Sequence, residues 1–195
     1  VVDGDDTAAA VVENGSRTLS SVVASQVDLH HPFGGVVPEL AAREHLRAMD
    51  PVVTEALRQC ALPMSAMDAV AATMLPGLIP ALLVGTAYAK GLALGLGCPY
   101  VSINHFIAHI YGSFLTCPEK LSLPATYPLL ALVVSGGHTS LVLIRANGTA
   151  QVIGATLDDA AGEAYDKAAK ILNLGYPGGP IIDRIAKQGD PTAFK

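Results

Sequence analysis

The chain has 195 residues, of which 51% are hydrophobic and 15% charged, and its formal net charge is −5. This length is sufficient for a sizeable core in one or two domains, and the apolar composition predicts that much of the chain is buried in sheet and packed helix. The negative charge argues against a nucleic-acid interface made by this chain alone, because phosphate binding requires clustered Lys and Arg side chains. A nucleic-acid substrate would have to be held by a local patch or by a partner.

The first strands of the chain share a pattern with a later stretch: strand, tight polar turn, strand, Asn-Gly turn, strand. The first copy comprises residues 1–25, with Asn14-Gly15 as its second turn; the other comprises residues 133–153, with Asn147-Gly148. In each copy two valines precede a five-residue turn that ends in Thr. Agreement at both turns favours a duplicated lobe.

The small residues of the two polar turns predict a nucleotide site. Such turns leave backbone N–H groups exposed and convergent, which suits phosphate oxygens. One turn in each lobe would hold a nucleotide in the cleft between the lobes. Two ordinary hairpins are the alternative, because either turn alone is weak evidence.

The region between the two copies is predicted to be largely helical from its apolar periodicity and its prolines. The segments are helices at 38–49, 51–60 and 80–96, a short helix start and strand at 65–72, a strand at 98–103, and a surface connection at 116–127. The run Val70–Ala89 is also long enough to cross a membrane. Four breaks favour a buried α/β element instead. They are Pro76, Gly77, Pro80 and Gly85.

Two histidines follow the predicted strand at the spacing of one helical turn. Asn104 is a good N-cap, so a helix is predicted to begin at His105. His105 and His109 then occupy positions i and i+4, and both imidazoles project from one face. A helix presents two nitrogen ligands to one transition-metal ion in this way. Histidines that cap or pack beside the strand end are the alternative, because the spacing alone is not specific.

A helix is predicted after the second copy, from Asp158-Asp159 to about Asn173–Gly175, because acidic residues favour a helix start and Gly favours its end. Small residues in its first turn permit close approach by another element. Glu163, Asp166 and Lys167 lie on one face, for which solvated charge pairs are the favoured interpretation.

The next predicted helix has Pro180 in its first turn, directly after Gly179, and runs through Asp183. Its N-terminus is predicted to be free to bind an anion or a sugar hydroxyl.

Cysteine usage and the chain ends indicate a reduced compartment and a longer polypeptide. Cys60, Cys98 and Cys117 are odd in number, far apart and without a CxxC motif, which is typical of reduced thiols in a cytoplasmic protein. No secretory signal opens the chain. Because the chain starts at Val1 without Met and stops at Lys195 without a closing element, we expect truncation at both ends.

Four segments carry a resemblance to a known family. They are GGVVPELAAREH at 34–45, NHFIAH at 104–109, VSGGHTSL at 134–141 and DDAAGEAYDKAAKILNLGYPGGPIID at 158–183. In order, and over nearly the whole chain, they resemble the N-terminal and central part of the TsaD family, the tRNA adenosine threonylcarbamoyltransferases formerly labelled O-sialoglycoprotein endopeptidases. The resemblance implies an α/β chain with the actin-like, sugar-kinase-like ATPase superfold and duplicated lobes. We expect the first lobe, with the histidine helix, at residues 1–125 and an incomplete second lobe at 126–195.

The resemblance also implies roles for individual residues. His105 and His109 correspond to two histidine ligands of one divalent metal ion per subunit, iron(II) or zinc. The substrate-phosphate loop corresponds to Val133, Val134, Ser135, Gly136 and Gly137. Asp166, Gly179 and Asp183 correspond to contacts with the nucleotide and its ribose. No residue is identified as a catalytic acid, base or nucleophile.

The reaction implied by the resemblance is acyl transfer in tRNA modification. The family's substrate is threonylcarbamoyl-adenylate, whose threonylcarbamoyl group passes to the adenosine beside the anticodon of tRNAs that read codons starting with A, with release of AMP. A metal ion would polarise the carbonyl and the Ser135-Gly136-Gly137 turn would stabilise the leaving phosphate. The expected partners are tRNA, threonylcarbamoyl-adenylate or AMP/ATP, a paralogous lobe-duplicated subunit and a small ATPase. A cytoplasmic location without membrane association is expected.

Two departures from the family pattern concern the site. Where the family's opening strand ends in an acidic-Ser-Ser-Cys run, this chain has residues 1–4, and only Asp5-Asp6-Thr7 of that turn remain. The family's third metal ligand, an Asp, and a nucleotide-binding Asn lie beyond Lys195. Because two histidines alone do not complete a three-ligand site, we expect this chain to bind metal weakly and to turn over little.

Three other functions compete with acyl transfer. A zinc peptidase needs a Glu directly after the first histidine as general base, and Phe106 stands there with no carboxylate between the histidines. A kinase or ATPase of the same superfold would use both turns on ATP but would have no role for His105 and His109. A non-catalytic scaffold subunit would lack the histidine pair altogether.

Overall fold

The computed structural model describes residues 2–193 and contains both helices and strands, so the predicted α/β class is confirmed. In chain order the elements are β1 (Val2–Asp3), β2 (Asp6–Glu13), β3 (Arg17–Ser25), α1 (Val27–His30), α2 (Pro38–Cys60), β4 (Val70–Leu75), α3 (Ile79–Leu96), β5 (Tyr100–Asn104), α4 (His105–Gly112), β6 (Leu129–Val134), β7 (Thr139–Ile144), β8 (Ala150–Ala155), α5 (Ala161–Ile171) and α6 (Gly178–Ala186). Val1, Phe194 and Lys195, on which the predicted truncations rest, lie outside the described residues.

The chain folds as two compact units. Unit 1 comprises the chain up to Asp28 together with Val36–Ser122, and unit 2 comprises Leu29–Gly35 together with the chain from Leu123 onwards. Unit 1 therefore holds β1–β5 and α2–α4, whereas unit 2 holds β6–β8, α5 and α6. The lobe limits at 1–125 and 126–195 stay a prediction.

Each unit contains a three-stranded antiparallel sheet, and this confirms the repeat read from the sequence. The strand order is β1-β2-β3 in unit 1 and β6-β7-β8 in unit 2, and unit 1 also has the parallel pair β4-β5. The Asn-Gly turns join the second and third strands of each sheet. At Asn14, Gly15 and Gly148 the backbone has φ of 52°, 70° and 80°, the left-handed conformation that Asn and Gly tolerate best.

The predicted length of five residues is wrong for both polar turns. Asp3 pairs with Asp6 in the first sheet, so the turn between β1 and β2 has two residues and Thr7 lies inside β2. Val134 pairs with Thr139 in the second, so that turn has four residues. Strand pairing, which sequence similarity does not report, determines where each turn ends.

Residues 38–60 form one helix, although Pro51 was expected to separate two. Proline cannot donate a backbone hydrogen bond, and inside a helix it leaves the carbonyl one turn earlier without its partner. Both Pro51 and Arg47, whose carbonyl loses that bond, are exposed, so water can hydrate the carbonyl. The buried stripe of the helix holds its two halves in line. It consists of Ala41, His45, Met49, Val52 and Ala56.

The run Val70–Ala89 forms a strand and most of a helix, as predicted, but the helix is only partly buried. Within residues 2–193, α3 alone is long and apolar enough to cross a membrane by length and composition, and 22% of its 18-residue window is buried. Its buried side chains are Ala81, Leu82, Ala89 and Ala93. Ala81 packs with Met49 of α2 in a small core. The α/β element is therefore confirmed, but the expectation that it is buried is wrong for most of α3.

An apolar cavity of about 160 Å³ lies among β2, β4, α2 and α3 within unit 1. Its lining includes Val11, Met49, Ala56, Ala72 and Ala89, and no lining residue carries a charge. Its polar lining residues are Thr73 and Tyr88, and none of the predicted site residues lines it. The candidate site is therefore elsewhere.

Candidate functional site

The two histidines lie on α4 as predicted, and their rings converge. Asn104 caps the helix, because its Oδ1 accepts a hydrogen bond of 3.2 Å from the Ile107 N–H. The Nε2 atoms of His105 and His109 are 2.9 Å apart, and the ring centroids are 4.2 Å apart. His105 is 8% exposed, whereas His109 is exposed. The rings therefore meet each other, and the side-chain cap at the start of the helix is supplied by Asn104.

This pair fits two adjacent positions of one metal ion. With Zn–N bonds of about 2.0–2.1 Å, two imidazole nitrogens lie about 2.9 Å apart at a right angle and about 3.3 Å apart at the tetrahedral angle. The observed Nε2–Nε2 distance of 2.9 Å agrees with a right angle at the ion. For the tetrahedral angle, the rings would have to rotate slightly apart. Among residues 2–193 no group of three or more His, Cys, Asp or Glu is placed to hold an ion. The residues present can therefore supply two ligands, and a further donor is required to close the site.

The substrate-phosphate loop predicted at 133–137 is the end of β6 and the turn into β7. The Ser135 N–H donates to the His138 carbonyl at 2.8 Å, and the His138 N–H donates to Ser135 Oγ at 3.1 Å. Gly136 and Gly137 are exposed at the tip, and within the described chain no hydrogen bond to either N–H is found. The N–H groups of Ser135 and His138 are thus used inside the turn, and those of Gly136 and Gly137 have no hydrogen bond among the described residues.

Helix α5 begins directly against this turn. The Gly162 N–H donates to the Ser135 carbonyl at 3.2 Å, and the Ala161 N–H donates to Thr139 Oγ1 at 2.8 Å. A Cβ on Gly162 would lie 2.7 Å from Gly136 Cα and 2.7 Å from the Ser135 oxygen, closer than real side chains approach backbone. The close approach predicted from the small residues of the first turn of the helix is therefore confirmed. The neighbouring segment is the turn of residues 135–138 between β6 and β7, which we call the glycine turn.

The helix starts at Ala161, two residues after the predicted acidic start. Asp159 instead binds the side chain of Lys167, with Nζ to Oδ1 at 2.5 Å, and Lys167 also lies 3.1 Å from Glu163. The hydrogen bond to Asp159, followed by that to Glu163, raises the pKa of Lys167. The sequence correctly predicted charge pairs on this face for Glu163 and Lys167.

The sequence favoured a solvated charge pair for Asp166, but in the structure its carboxylate binds a backbone N–H. Its Oδ1 accepts a hydrogen bond of 2.7 Å from the Gly178 N–H, the first residue of α6. A Cβ on Gly178 would lie 2.5 Å from the Tyr165 oxygen, so α6 packs on α5 at van der Waals contact. Pro180 lies in the first turn of α6, as predicted. The helix N-terminus is not wholly free, however, because its first N–H, that of Gly178, is already bound by Asp166.

The other two predicted nucleotide contacts lie on the same helix. Nothing lies within 4 Å of the place of a Cβ on Gly179, so the backbone there is open to a close ligand. Asp183 lies one turn further on; its side chain is 71% exposed, and its Oδ2 is 2.9 Å from Lys187 Nζ. Unit 2 thus brings Asp166 and Gly179 together at the start of α6, with Asp183 on the next turn.

A buried hydrogen-bond network in unit 1 was not found from the sequence. His45 is 0% exposed, and its Nδ1 lies 2.8 Å from Thr7 Oγ1 and 2.9 Å from Gln26 Nε2. Its Nε2 lies 3.3 Å from the carbonyl of Gly4, in the turn between β1 and β2. With hydrogen on Nε2, the ring donates to the Gly4 carbonyl, and the single lone pair of Nδ1 is the acceptor that Thr7 Oγ1 and Gln26 Nε2 share.

The apolar stripe of α2 is the feature of the sequence that could have revealed this network. His45 lies four residues from both Ala41 and Met49, so it occupies a core position on an otherwise apolar face. A polar side chain at such a position needs hydrogen-bond partners inside the fold. His45 therefore contacts both Gly4, in the turn between β1 and β2, and Thr7, at the start of β2.

The predicted residues fall into two groups, one in each unit. His105 and His109 belong to unit 1, and the eight others belong to unit 2. Within the second group Val133 is buried and Val134 is exposed, as expected for neighbouring residues of one strand. Their assigned roles as metal ligands and substrate contacts stay predictions.

Comparison with known proteins identifies the family. The sequence model of the TsaD family, tRNA N6-adenosine threonylcarbamoyltransferase, matches residues 17–195. The chain belongs to this family. The predicted resemblance is thereby confirmed, and the assignment of the α/β fold to the actin-like superfold rests on this membership.

Three curated relatives carry the name tRNA N6-adenosine threonylcarbamoyltransferase. The protein of Caldicellulosiruptor bescii is 50% identical over 191 residues, which are 98% of this chain and 55% of the relative. The protein of Symbiobacterium thermophilum is 52% identical over 189 residues, 97% of this chain and 54% of the relative. That of Syntrophobacter fumaroxidans is 55% identical over 190 residues, 97% of this chain and 55% of the relative. The chain spans about half the length of these relatives.

A solved structure, YeaZ from Pseudomonas aeruginosa, aligns with a TM-score of 0.45 at 15% identity. The alignment covers 78% of this chain and 64% of that one. A likeness at this level defines neither fold nor function.

Proposed function

We propose that this chain forms part of a cytoplasmic tRNA N6-adenosine threonylcarbamoyltransferase, to which it supplies two metal ligands and the substrate-phosphate turn. The observation that carries the proposal is the convergence of the His105 and His109 Nε2 atoms at 2.9 Å in a chain of this family. The substrates are tRNA, as in the name of the relatives, and threonylcarbamoyl-adenylate.

His105 and His109 would hold a divalent iron or zinc ion through Nε2, with the rings set by α4 and its Asn104 cap. When bound, such an ion acts as a Lewis acid towards the threonylcarbamoyl carbonyl. The exocyclic amine of the tRNA adenosine forms a bond to that carbonyl carbon and releases one proton to solvent. The bond between the carbonyl carbon and the phosphate oxygen breaks, and AMP leaves.

The glycine turn stabilises the negative charge of the leaving AMP. The outward N–H groups of Gly136 and Gly137 donate to phosphate oxygens, and the N-terminus of α5 behind the turn adds its positive dipole end. Because Gly162 brings that helix into backbone contact with the turn, the donors are held rigid before the substrate binds. At the start of α6 the open backbone at Gly179 and the carboxylate of Asp183 contact the nucleotide and its ribose.

The partners follow from the same family. We propose that the protein works with a paralogous lobe-duplicated subunit and a small ATPase, and that the net charge of −5 makes tRNA binding depend on a local patch or on such partners.

A chimera tests the proposal. In it, this chain replaces the matched region of the Syntrophobacter fumaroxidans relative, and formation of threonylcarbamoyladenosine is measured by mass spectrometry of digested tRNA. We expect the chimera to modify tRNA and the His105→Ala and His109→Ala variants to lose activity about a hundredfold or more, because loss even of an outer-shell partner of a metal ligand costs about 10–100-fold. The matched control is His31→Ala, an exposed histidine of unit 2.

Each alternative has its own outcome in this experiment. If both histidine variants keep full activity, the assigned ligands are wrong. If ATP hydrolysis persists in the histidine variants while the unsubstituted chimera never modifies tRNA, the chain belongs to an ATPase instead. Cleavage of a protein substrate that disappears with His105→Ala would revive the peptidase function, against the absence of a Glu at Phe106.

A further inference from the structure

The net negative charge of the chain comes from unit 1. Unit 1 contains 11 of the 17 acidic and 6 of the 12 basic residues, a difference of −5 that equals the net charge of the whole chain. Unit 2 contains the other six acidic and six basic residues and is neutral overall. Because phosphate groups are attracted by Lys and Arg and repelled by carboxylates, a contact between this chain and nucleic acid is expected on unit 2.

Three exposed cations of unit 2 make no ion pair among the described residues: Arg145, Lys170 and Arg184. Arg145 follows β7 and lies about 20 Å along the strand from the glycine turn, at a rise of about 3.4 Å per residue. The side chain of Lys170 lies over Gly34, with its Cδ, Cε and Nζ atoms within 4.0 Å of the place of a Cβ there. Arg184 directly follows Asp183, a proposed ribose contact, on α6. Arg184 therefore combines an unpaired charge with a position beside the nucleotide contacts.

A second cation lies close to Arg184 on the exposed side of α6. The packed side of this helix carries Gly178, which meets α5. Lys187, the C-cap residue, keeps helical dihedrals and follows Arg184 at i+3, and its side chain is 73% exposed. At about 1.5 Å per residue, Arg184 lies about 1.5 Å along the helix axis from Asp183 and about 7.5 Å from Gly179. The two cations thus adjoin the residues proposed to contact the nucleotide.

The tRNA has to come close to these residues during the reaction. In the proposed transfer, the exocyclic amine of the acceptor adenosine attacks the carbonyl bonded to the AMP phosphate, so the acceptor nucleotide and AMP are neighbours. The phosphate groups that flank the acceptor therefore pass close to the elements that hold AMP, which include α6. An exposed cation that has no carboxylate partner is well suited to compensate their charge.

We propose that Arg184, with Lys187 beside it, binds the phosphate groups of tRNA that flank the acceptor adenosine. This inference rests on the proposed function and adds to it the surface by which the chain holds its nucleic-acid substrate. The planar guanidinium of Arg184 can donate two parallel hydrogen bonds to one phosphate, whereas the ammonium of Lys187 acts as a point charge. Such contacts position the RNA without reading its sequence.

The salt dependence of tRNA binding provides the first test. Binding of unmodified tRNA to the chimera with the Syntrophobacter fumaroxidans relative is measured by fluorescence anisotropy at several salt concentrations. Each single-strand phosphate contact contributes a slope of about −0.7 to log K against log salt, which is about fivefold in affinity at about 0.1 M relative to about 1 M. We expect Arg184→Gln to make the slope less negative by about 0.7 and to weaken binding about fivefold at about 0.1 M salt.

Other substitutions show whether the position of the charge matters. The matched control is Arg145→Gln, which removes the same charge from an exposed arginine of the same unit and should change neither the slope nor the affinity. Arg184→Lys should keep most of the slope, because it keeps the charge. Lys187→Gln, added to Arg184→Gln, should make the slope less negative by about a further 0.7.

Steady-state kinetics distinguish the phosphates of tRNA from that of the small substrate. Arg184→Gln should raise KM for tRNA about fivefold and leave kcat and KM for threonylcarbamoyl-adenylate unchanged. The isolated anticodon stem-loop should show the same ratio between variant and unsubstituted chimera as intact tRNA does. A raised KM for threonylcarbamoyl-adenylate with an unchanged KM for tRNA would assign Arg184 to the small nucleotide and overturn the proposal.

Two further outcomes would also overturn it. Arg184 lies in the last turn of α6, where a cation complements the helix dipole. If Arg184→Gln lowers Tm but matches Arg145→Gln in salt slope and in KM for tRNA, that is its role. An effect seen with intact tRNA and absent with the stem-loop would place the contact away from the acceptor adenosine. By contrast, a chimera that modifies no tRNA but shows the expected slopes would refute the proposed transferase function and support the phosphate contact.

Discussion

Replacing Gly162 by Ala should detach α5 from the glycine turn. The added Cβ would lie 2.7 Å from both Gly136 Cα and the Ser135 oxygen and 2.9 Å from Gly136 N, and all three atoms are backbone. Backbone in a paired turn cannot yield as a flexible side chain can, so the helix must move. Such overpacking costs about 1–3 kcal/mol. The movement also weakens the hydrogen bonds to Ser135 and Thr139, each contributing about 1 kcal/mol.

A second Gly→Ala substitution separates this contact from helix propensity. Gly91 lies within α3 and has nothing within 4 Å of the place of its Cβ. Gly91→Ala should stabilise unit 1 by up to about 1 kcal/mol, because Ala loses less backbone entropy than Gly in a helix. Gly162→Ala has the same favourable term, yet we expect a net loss of about 2–4 kcal/mol in unit 2, after the steric and hydrogen-bond costs.

The two variants are compared by urea unfolding followed by circular dichroism, with hydrogen exchange of residues 135–139 as the local measurement. Gly162→Ala should lower the unfolding midpoint and speed exchange in that turn, whereas Gly91→Ala should do neither. Equal midpoints for the two variants, or unchanged exchange in the turn of Gly162→Ala, would show that α5 does not depend on this close approach.

Three further predictions follow from other contacts. Gly178→Ala should lower Tm by several degrees because its Cβ would lie 2.5 Å from a backbone oxygen of α5, whereas Gly179→Ala, which meets nothing within 4 Å, should leave Tm unchanged in a thermal melt. His45→Ala should lower the free energy of unfolding, measured in urea, by about 2–4 kcal/mol, because it opens a cavity and leaves buried hydrogen-bonding groups unpaired. Burial, together with the hydrogen bond to Asp50, raises the pKa of Tyr88 from 10.0 to about 12. The unfolded chain therefore loses this proton first, and Tm should fall as pH rises from 10 towards 12, a decline that Tyr88→Phe reduces.

Each of these has a contrary outcome. Equal melting of the Gly178 and Gly179 variants would mean that α6 does not pack closely on α5. A His45→Ala variant as stable as the unsubstituted chain would show that the buried network contributes nothing. A pH dependence above pH 10 that is the same with Tyr88→Phe would assign the titration to another group.

Much of the site was predictable because its geometry is local. The Asn104 cap and the i, i+4 spacing of His105 and His109 require only that five consecutive residues be helical, and the rings converge as that spacing requires. The Asn-Gly turns were predictable for the same reason, because their backbone conformation depends on the residues in the turn itself.

Tertiary contacts decided the rest. The partner of Asp166 is 12 residues away, that of the Ala161 N–H is 22 away, and His45 reaches Thr7 across 38 residues. None of these separations leaves a periodic signal along the chain. The predicted helix break at Pro51 followed a local propensity that the packing of the whole unit outweighed. The predicted turn lengths followed the internal similarity, and strand pairing decided them instead.

The sequence by itself determined the family, the two antiparallel sheets and the histidine pair, because motif order, turn chemistry and helical spacing are all properties of neighbouring residues. Only the tertiary structure decided that Gly162 meets the glycine turn, that Asp166 binds the start of α6, and that His45 contacts Gly4 and Thr7. Those features depend on which surfaces come within a few ångströms of each other, and that is a property of the packed chain.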